Sequence, residues 1–209
     1  GAGSGVAVGD TFNPTGGSLA AAGPYGNGTT TAGVASLLTV ATCQLVGLAI
    51  NAGGSGYVVG DTITLSGGTA GTAAVVTVAT VSSGAVATFT ITTAGSYSVT
   101  ASTFTQASTS GSGTGATFKT AVWGANTFTI TTAGGYTASP SASNALTAVS
   151  SSATTAPTAS LAFGVGTALI THSGNYSSAP GFSVTSANGA GSGASIATGT
   201  LGGNGNAIV

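Results

Sequence analysis

The stretch Asn51-Ala52-Gly53-Gly54-Ser55-Gly56-Tyr57-Val58-Val59-Gly60-Asp61-Thr62-Ile63-Thr64-Leu65 decides how the chain is read. It opens on glycines, which permit positive φ, and follows them with one large aromatic ring. It then turns at Gly60-Asp61 and leaves in an alternating Thr/Ile/Thr/Leu run, the signature of a strand. Parts of this stretch return along the chain. Ala94-Gly95-Ser96-Tyr97, Ala133-Gly134-Gly135-Tyr136 and Ser173-Gly174-Asn175-Tyr176 place their tyrosines at intervals of 40, 39 and 40 positions from Tyr57 onward. Upstream, Gly3-Ser4-Gly5-Val6 is a degenerate copy with Val6 in the tyrosine's place, and Val8-Gly9-Asp10-Thr11-Phe12 matches Val59-Gly60-Asp61-Thr62-Ile63.

A second landmark keeps the same period. The runs Leu48-Ala49-Ile50, Phe89-Thr90-Ile91, Phe128-Thr129-Ile130, Ala168-Leu169-Ile170 and Ala207-Ile208-Val209 each close one copy. Together the landmarks predict an all-β tandem array of about five short-stranded repeats of roughly 40 residues, β-sandwich or solenoid-like. Its copies are 1–50, 51–91, 92–130, 131–170 and 171–209. The anchors are Gly56, Tyr57, Gly95, Tyr97, Gly135, Tyr136, Gly174 and Tyr176, with Asp10 and Asp61 at equivalent turns. Copy one is longer than the rest, and its excess falls in 14–33, a Gly/Thr/Pro-rich loop expected to face a partner.

Composition supports strands and excludes several classes. Hydrophobic residues reach 42% and net charge is -1, the opposite of the disordered signature. There is no collagen period, and no apolar run long enough for a membrane-spanning helix. Glycine, threonine and valine are poor helix formers. The full charges are Asp10, Asp61 and Lys119, so a basic surface for nucleic acid is ruled out. A surface without charge also lacks the self-repulsion that keeps copies apart, and uncharged strand edges pair readily. The expectation is a homo-oligomer whose surface is covered by sister subunits or by a particle. The opening Gly1-Ala2-Gly3 is no signal peptide, and with no Met the sequence reads as a processed or partial piece of a longer polypeptide.

Little chemistry is on offer. Catalysis needs tuned acids, bases or nucleophiles within hydrogen-bond reach. The inventory is His172, Cys43, Asp10, Asp61 and Lys119, drawn from different copies, so no catalytic residue, cofactor or metal is predicted. Asp10 and Asp61 read as turn formers whose carboxylates accept backbone N–H bonds; a calcium site wants more oxygens than one Asp supplies. His172 reads as a polar turn residue, Cys43 as a small buried hydrophobe and Trp123 as core or interface filling. If 117–123 is extended, Lys119 and Trp123 share a face and a cation–π contact follows. Gly1 to Gly5 and Gly111 to Gly115 lack the Lys of a phosphate loop, and Asn27 and Asn175 sit in weak glycosylation sequons.

The stretch 51–65, with Tyr176-Ser177-Ser178-Ala179-Pro180 and Gly193-Ala194, resembles the glycine-rich GGSGY/GD repeats of bacteriophage virion proteins of the tail-fibre and head-decoration type. Tyr97 and Tyr136 lack the Gly-Asp, a departure from that pattern. The resemblance implies a non-enzymatic protein on the virion surface. It further implies homo-oligomers, often trimers, in contact with other virion proteins and, at the host, a surface glycan. The other readings are a cell-surface adhesin, an extracellular filament or surface-layer subunit, and an ice-binding surface suggested by pairs such as Thr88/Thr90. A transmembrane β-barrel needs longer alternating strands than these runs provide.

Overall fold

The computed structural model describes residues 1–16, 18–19, 35–134, 136–138 and 143–161, with the backbone alone at 18–19, 136–138 and 143–145. Copy five, most of the 14–33 loop, Gly135, His172, Gly174 and Tyr176 lie outside the described residues, as do Asn27 and Asn175. Thirteen strands follow one another: β1 Thr11–Pro14, β2 Ser18–Leu19, β3 Leu37–Ser55, β4 Thr62–Ser66, β5 Thr69–Thr72, β6 Val75–Ser82 and β7 Ala85–Thr93. Then come β8 Ser96–Val99, β9 Phe104–Thr109, β10 Thr114–Thr132, β11 Tyr136–Ala138, β12 Ser143–Ser150 and β13 Thr158–Ser160. Eleven belong to one antiparallel sheet that does not close, running β13-β12-β1-β3-β10-β9-β4-β6-β7 with β5 and β8 beside it; β2 and β11 form a separate pair.

The region 57–93 shows why these residues make strands. In β6, Val76 and Val78 are buried while Thr77 faces outward, as a two-residue period requires. Ser83 and Gly84 then take φ of 50° and 79°. Positive φ at both centres of a two-residue loop is the type I′ geometry that matches strand twist, and it returns the chain as β7. The hairpin pairs Val76 with Ile91, Thr77 with Thr90 and Val78 with Phe89. On its other side β6 pairs with β4, Ile63 opposite Val76. β4 is thus a lead strand, β6 a middle strand and β7 an outer strand.

The same three-strand arrangement recurs, with a change of connection. In β3, Leu38 faces Phe12 of lead strand β1 on one side and Ile130 of β10 on the other; Val40 faces Phe128. In β10, Phe118 faces Phe104 of lead strand β9 and, on its other side, Ile50 of β3. Residues 37–42 and 114–119 are therefore middle strands, and 47–55 and 122–132 are outer strands. Here middle and outer strands run on as one strand of 19 residues, and each middle strand takes the other's outer strand. Short strands were expected at these places. Val76 and Ile91 stand fifteen positions apart, but Leu38 and Ile50, like Phe118 and Ile130, stand only twelve. The three missing residues correspond to the loop that lets β6 and β7 fold back. Thr120, at φ 55°, marks the break in β10.

One continuous core joins these strands. Tyr57, Tyr97, Phe12, Phe104, Phe118, Leu45, Ile63, Val40, Val76 and Val78 are all at most 2% exposed. Each such side chain contributes about 1.5–3 kcal/mol on removal from water. Trp123 packs within it, its ring centroid 4.9 Å from Tyr97 and 5.9 Å from Phe104, with Nε1 donating to the Ala101 carbonyl at 3.0 Å. Lys119 is exposed and Thr120 interrupts the extended backbone, so the two do not share a strand face as an extended 117–123 would require.

Candidate functional site

The anchors lie where copies meet. β4 and β9 pair around Leu65 opposite Gln106, and β1 and β12 pair around Pro14 opposite Leu146. This brings copy two against copy three and copy one against copy four. Around the first junction the anchors trade places. Ser55 pairs with Thr114 while Ser96 pairs with Thr72. Gly54, at φ 66°, lies so close to the backbone of Thr114 and Ala116 that any Cβ would collide; Gly95, at φ 76°, does the same against Thr72 and Ala74. Only glycine meets both demands.

Each tyrosine reaches across the junction. The Tyr57 hydroxyl accepts the Ala116 N–H at 3.2 Å and donates to Oε1 of Gln106, whose Nε2 donates to the Gly113 carbonyl at 2.9 Å. The Tyr97 hydroxyl accepts the Ala74 N–H at 2.7 Å. A buried N–H left unpaired costs about 1–3 kcal/mol, so these phenols hold the junction by more than packing. Burial pushes both phenol pKa values up, against the opposing effect of the N–H donors; Asp61 adds to the rise at Tyr57.

On the Gly3 side of the second junction the same backbone approach recurs with Val6 in the tyrosine's place. Gly3, at φ 69°, abuts Thr155 and Pro157, and Ser4 bridges Thr155. Val6 has no hydroxyl, and Pro157, in the place of Ala74 and Ala116, has no N–H to satisfy.

Asp10 and Asp61 close type II turns, with Gly9 at φ 91° and Gly60 at φ 93° in the position that demands positive φ. The Asp10 carboxylate accepts the Ala7 N–H at 2.9 Å and the Ser151 hydroxyl at 2.8 Å; that of Asp61 accepts the Val58 N–H at 3.0 Å. Beyond each turn the backbone binds a middle strand: Val40 N–H to Asp10 O at 2.9 Å, Val78 N–H to Asp61 O at 2.8 Å. Each carboxylate serves its own turn, and that of Asp10 also ties its turn to Ser151.

Cys43 is buried, its thiol 3.7 Å from the Val6 carbonyl; burial, aided by the negative charge of Asp10, raises its pKa to about 11. A thiol held protonated is a poor nucleophile. Among the described residues no three His, Cys, Asp or Glu side chains gather to hold a metal, and no helix is long and apolar enough to cross a membrane. Sequence reasoning located the tyrosines and aspartates but missed the acceptors and donors they meet. It also missed Pro157, whose signal was a proline in place of alanine in the repeat. No family model, curated protein or solved structure matches this chain.

Proposed function

We propose that this chain is a non-enzymatic structural protein of a virion surface, a segment of a phage tail fibre or a capsid decoration protein, built from about five tandem copies and working as a homo-oligomer. The observation that carries the reading is the surface. Val58, Val59, Val99, Ile130 and Val149 are each more than half exposed, on a chain with three charged side chains. An apolar, uncharged exterior is stable in water when other subunits cover it. The interlocked junctions support the same reading, because strand pairing and the tyrosine hydroxyls tie neighbouring segments together. Its partners are sister chains, a trimer as the resemblance implies, and other virion proteins; a host glycan is the natural external ligand of such a surface.

Electron microscopy of purified particles, labelled with an antibody against this chain, tests the proposal. Label on capsid or tail is the expected result. Label confined to cell-surface filaments would replace it with the adhesin or filament reading.

A further inference from the structure

Three middle strands each take an outer strand that runs into the anchor of a different copy. Residues 37–42 of copy one take 122–132, which lead to Tyr136 of copy four. β6 of copy two takes β7, which leads to Tyr97 of copy three; residues 114–119 of copy three take 47–55, which lead to Tyr57 of copy two. Copies two and three are thus reciprocal partners. β13 is the middle strand of copy four. It pairs with lead strand β12, Asn144 opposite Ala159, and the Leu146 N–H binds the Pro157 carbonyl just as the Leu65 N–H binds that of Ala74. By the same reciprocity its outer neighbour is the strand that leads to Val6 of copy one.

The last residues of that strand are in place. Ser4 bridges Thr155 as Ser55 pairs with Thr114, and the Thr158 N–H donates to the Gly1 carbonyl at 2.8 Å where Thr117 pairs with Ala52. On its other side the Ala125 N–H binds the Ala2 carbonyl at 2.7 Å, as the Leu45 N–H binds that of Ala94 at 2.9 Å; Ala2 and Ala94 each stand just before a glycine at positive φ. Residues 1–4 therefore do for 155–158 what 52–55 do for 114–117. The counterpart goes further. Asn51 Nδ2 donates to Thr117 Oγ1 at 3.2 Å, Ile50 faces Phe118 and Ala49 faces Lys119. At β13 the pairing stops at Thr158, whose Oγ1 meets the Gly1 amine; among the described residues no strand lies opposite Ala159 and Ser160 on that side.

We propose that residues joined to Gly1 on its N-terminal side, the end of a preceding repeat of the same polypeptide, complete this outer strand against Ala159 and Ser160. Its form is that of Gly47-Leu48-Ala49-Ile50-Asn51, the run that precedes Ala52. Each of the three complete outer strands passes without a break into its own glycine anchor, so the fourth comes from the same polypeptide and not from a sister chain. Filling the slot also covers an uncharged strand edge that would otherwise pair at random. The inference goes beyond the proposed function and holds equally for a virion or a cell-surface protein.

The register puts the counterpart of Ala49 opposite Ser160, as Ala49 itself stands opposite Lys119. The test fuses Gly-Leu-Ala-Ile-Asn ahead of Gly1. With Ser160→Cys and a cysteine in the extension's alanine place, oxidation is expected to bridge most chains internally, leaving only buried Cys43 free. Without the cysteines, the extension is expected to raise the urea midpoint above that of the 209-residue chain, and an extension with Asp in its leucine and isoleucine places is not. No bridge, a bridge between chains, or equal midpoints for the two extensions overturns the proposal. Sequencing of the protein purified from its source tests the covalent join separately: its N-terminal peptide should read upstream of Gly1, and a mature chain that starts at Gly1 overturns the join.

Discussion

The two junctions solve one problem in different ways. Between copies two and three, a tyrosine on each side supplies an acceptor for a buried N–H on the other: Tyr57 for Ala116, Tyr97 for Ala74. On the Gly3 side of the meeting of copies one and four, the close glycine approach is preserved but this pair of polar groups is gone, Val6 replacing the acceptor and Pro157 the donor. Removing both members of a hydrogen bond is close to neutral, whereas removing one strands the other. The comparison teaches that Val6 and Pro157 are one feature. Val6 alone looks like decay of the anchor; beside Pro157 it is a matched apolar substitute.

The strongest way to break the contrast is to crowd the tyrosine. A Cβ on Gly113 would fall within the Tyr57 ring, whereas one on Gly71, its counterpart in copy two, meets nothing within 4 Å. Gly113→Ala is expected to cost about 3 kcal/mol in urea unfolding, with Gly71→Ala within about 0.5 kcal/mol of the parent. Next comes Tyr57→Phe, which leaves the Ala116 N–H buried and unpaired, at about 2 kcal/mol. Adding Ala116→Pro recreates the Val6–Pro157 solution, so the double variant should lose about 1 kcal/mol less than the sum of the singles in a double-mutant cycle. Pro157→Ala introduces a donor opposite Val6 and should lower stability by about 1 kcal/mol, read from the thermal midpoint.

The smallest effect is alkaline. Cys43 has its pKa raised from 9.0 to about 11, so the folded state holds that proton more tightly than the unfolded chain does. The contribution is intact below pH 9 and is lost as pH rises through 11. Tyr57 and Tyr97, raised above 10.0, act in the same direction at higher pH. Urea midpoints should therefore fall from pH 9 upward, and Cys43→Ala should delay the onset of that fall.

Much of this was legible in the sequence. The strand character and the like turns at Asp10 and Asp61 follow from local pattern, because a turn's demands are local. The alternation in 85–92 announced β7. What could not be read was which outer strand pairs with which middle strand. Phe89-Thr90-Ile91 and Phe128-Thr129-Ile130 are identical, yet the first folds onto its own copy and the second onto copy one. Only the missing three residues separate the two outcomes, and a connection's length carries no label of its partner. Gln106 was equally silent, since its role depends on a tyrosine 49 positions away.

The exchange between β3 and β10 also sets an order of manufacture. The hairpin of β6 and β7 needs only neighbouring residues and can form as soon as it is synthesised. The middle strand of copy one is made earlier but finished later: Val40 waits for Phe128, and Thr11 waits for Ser150. Contacts between distant residues form slowly and leave apolar strands uncovered meanwhile. A segment made before the hairpin is thus completed after it, and during that interval a chain with almost no charge depends on its surroundings to keep it from its neighbours.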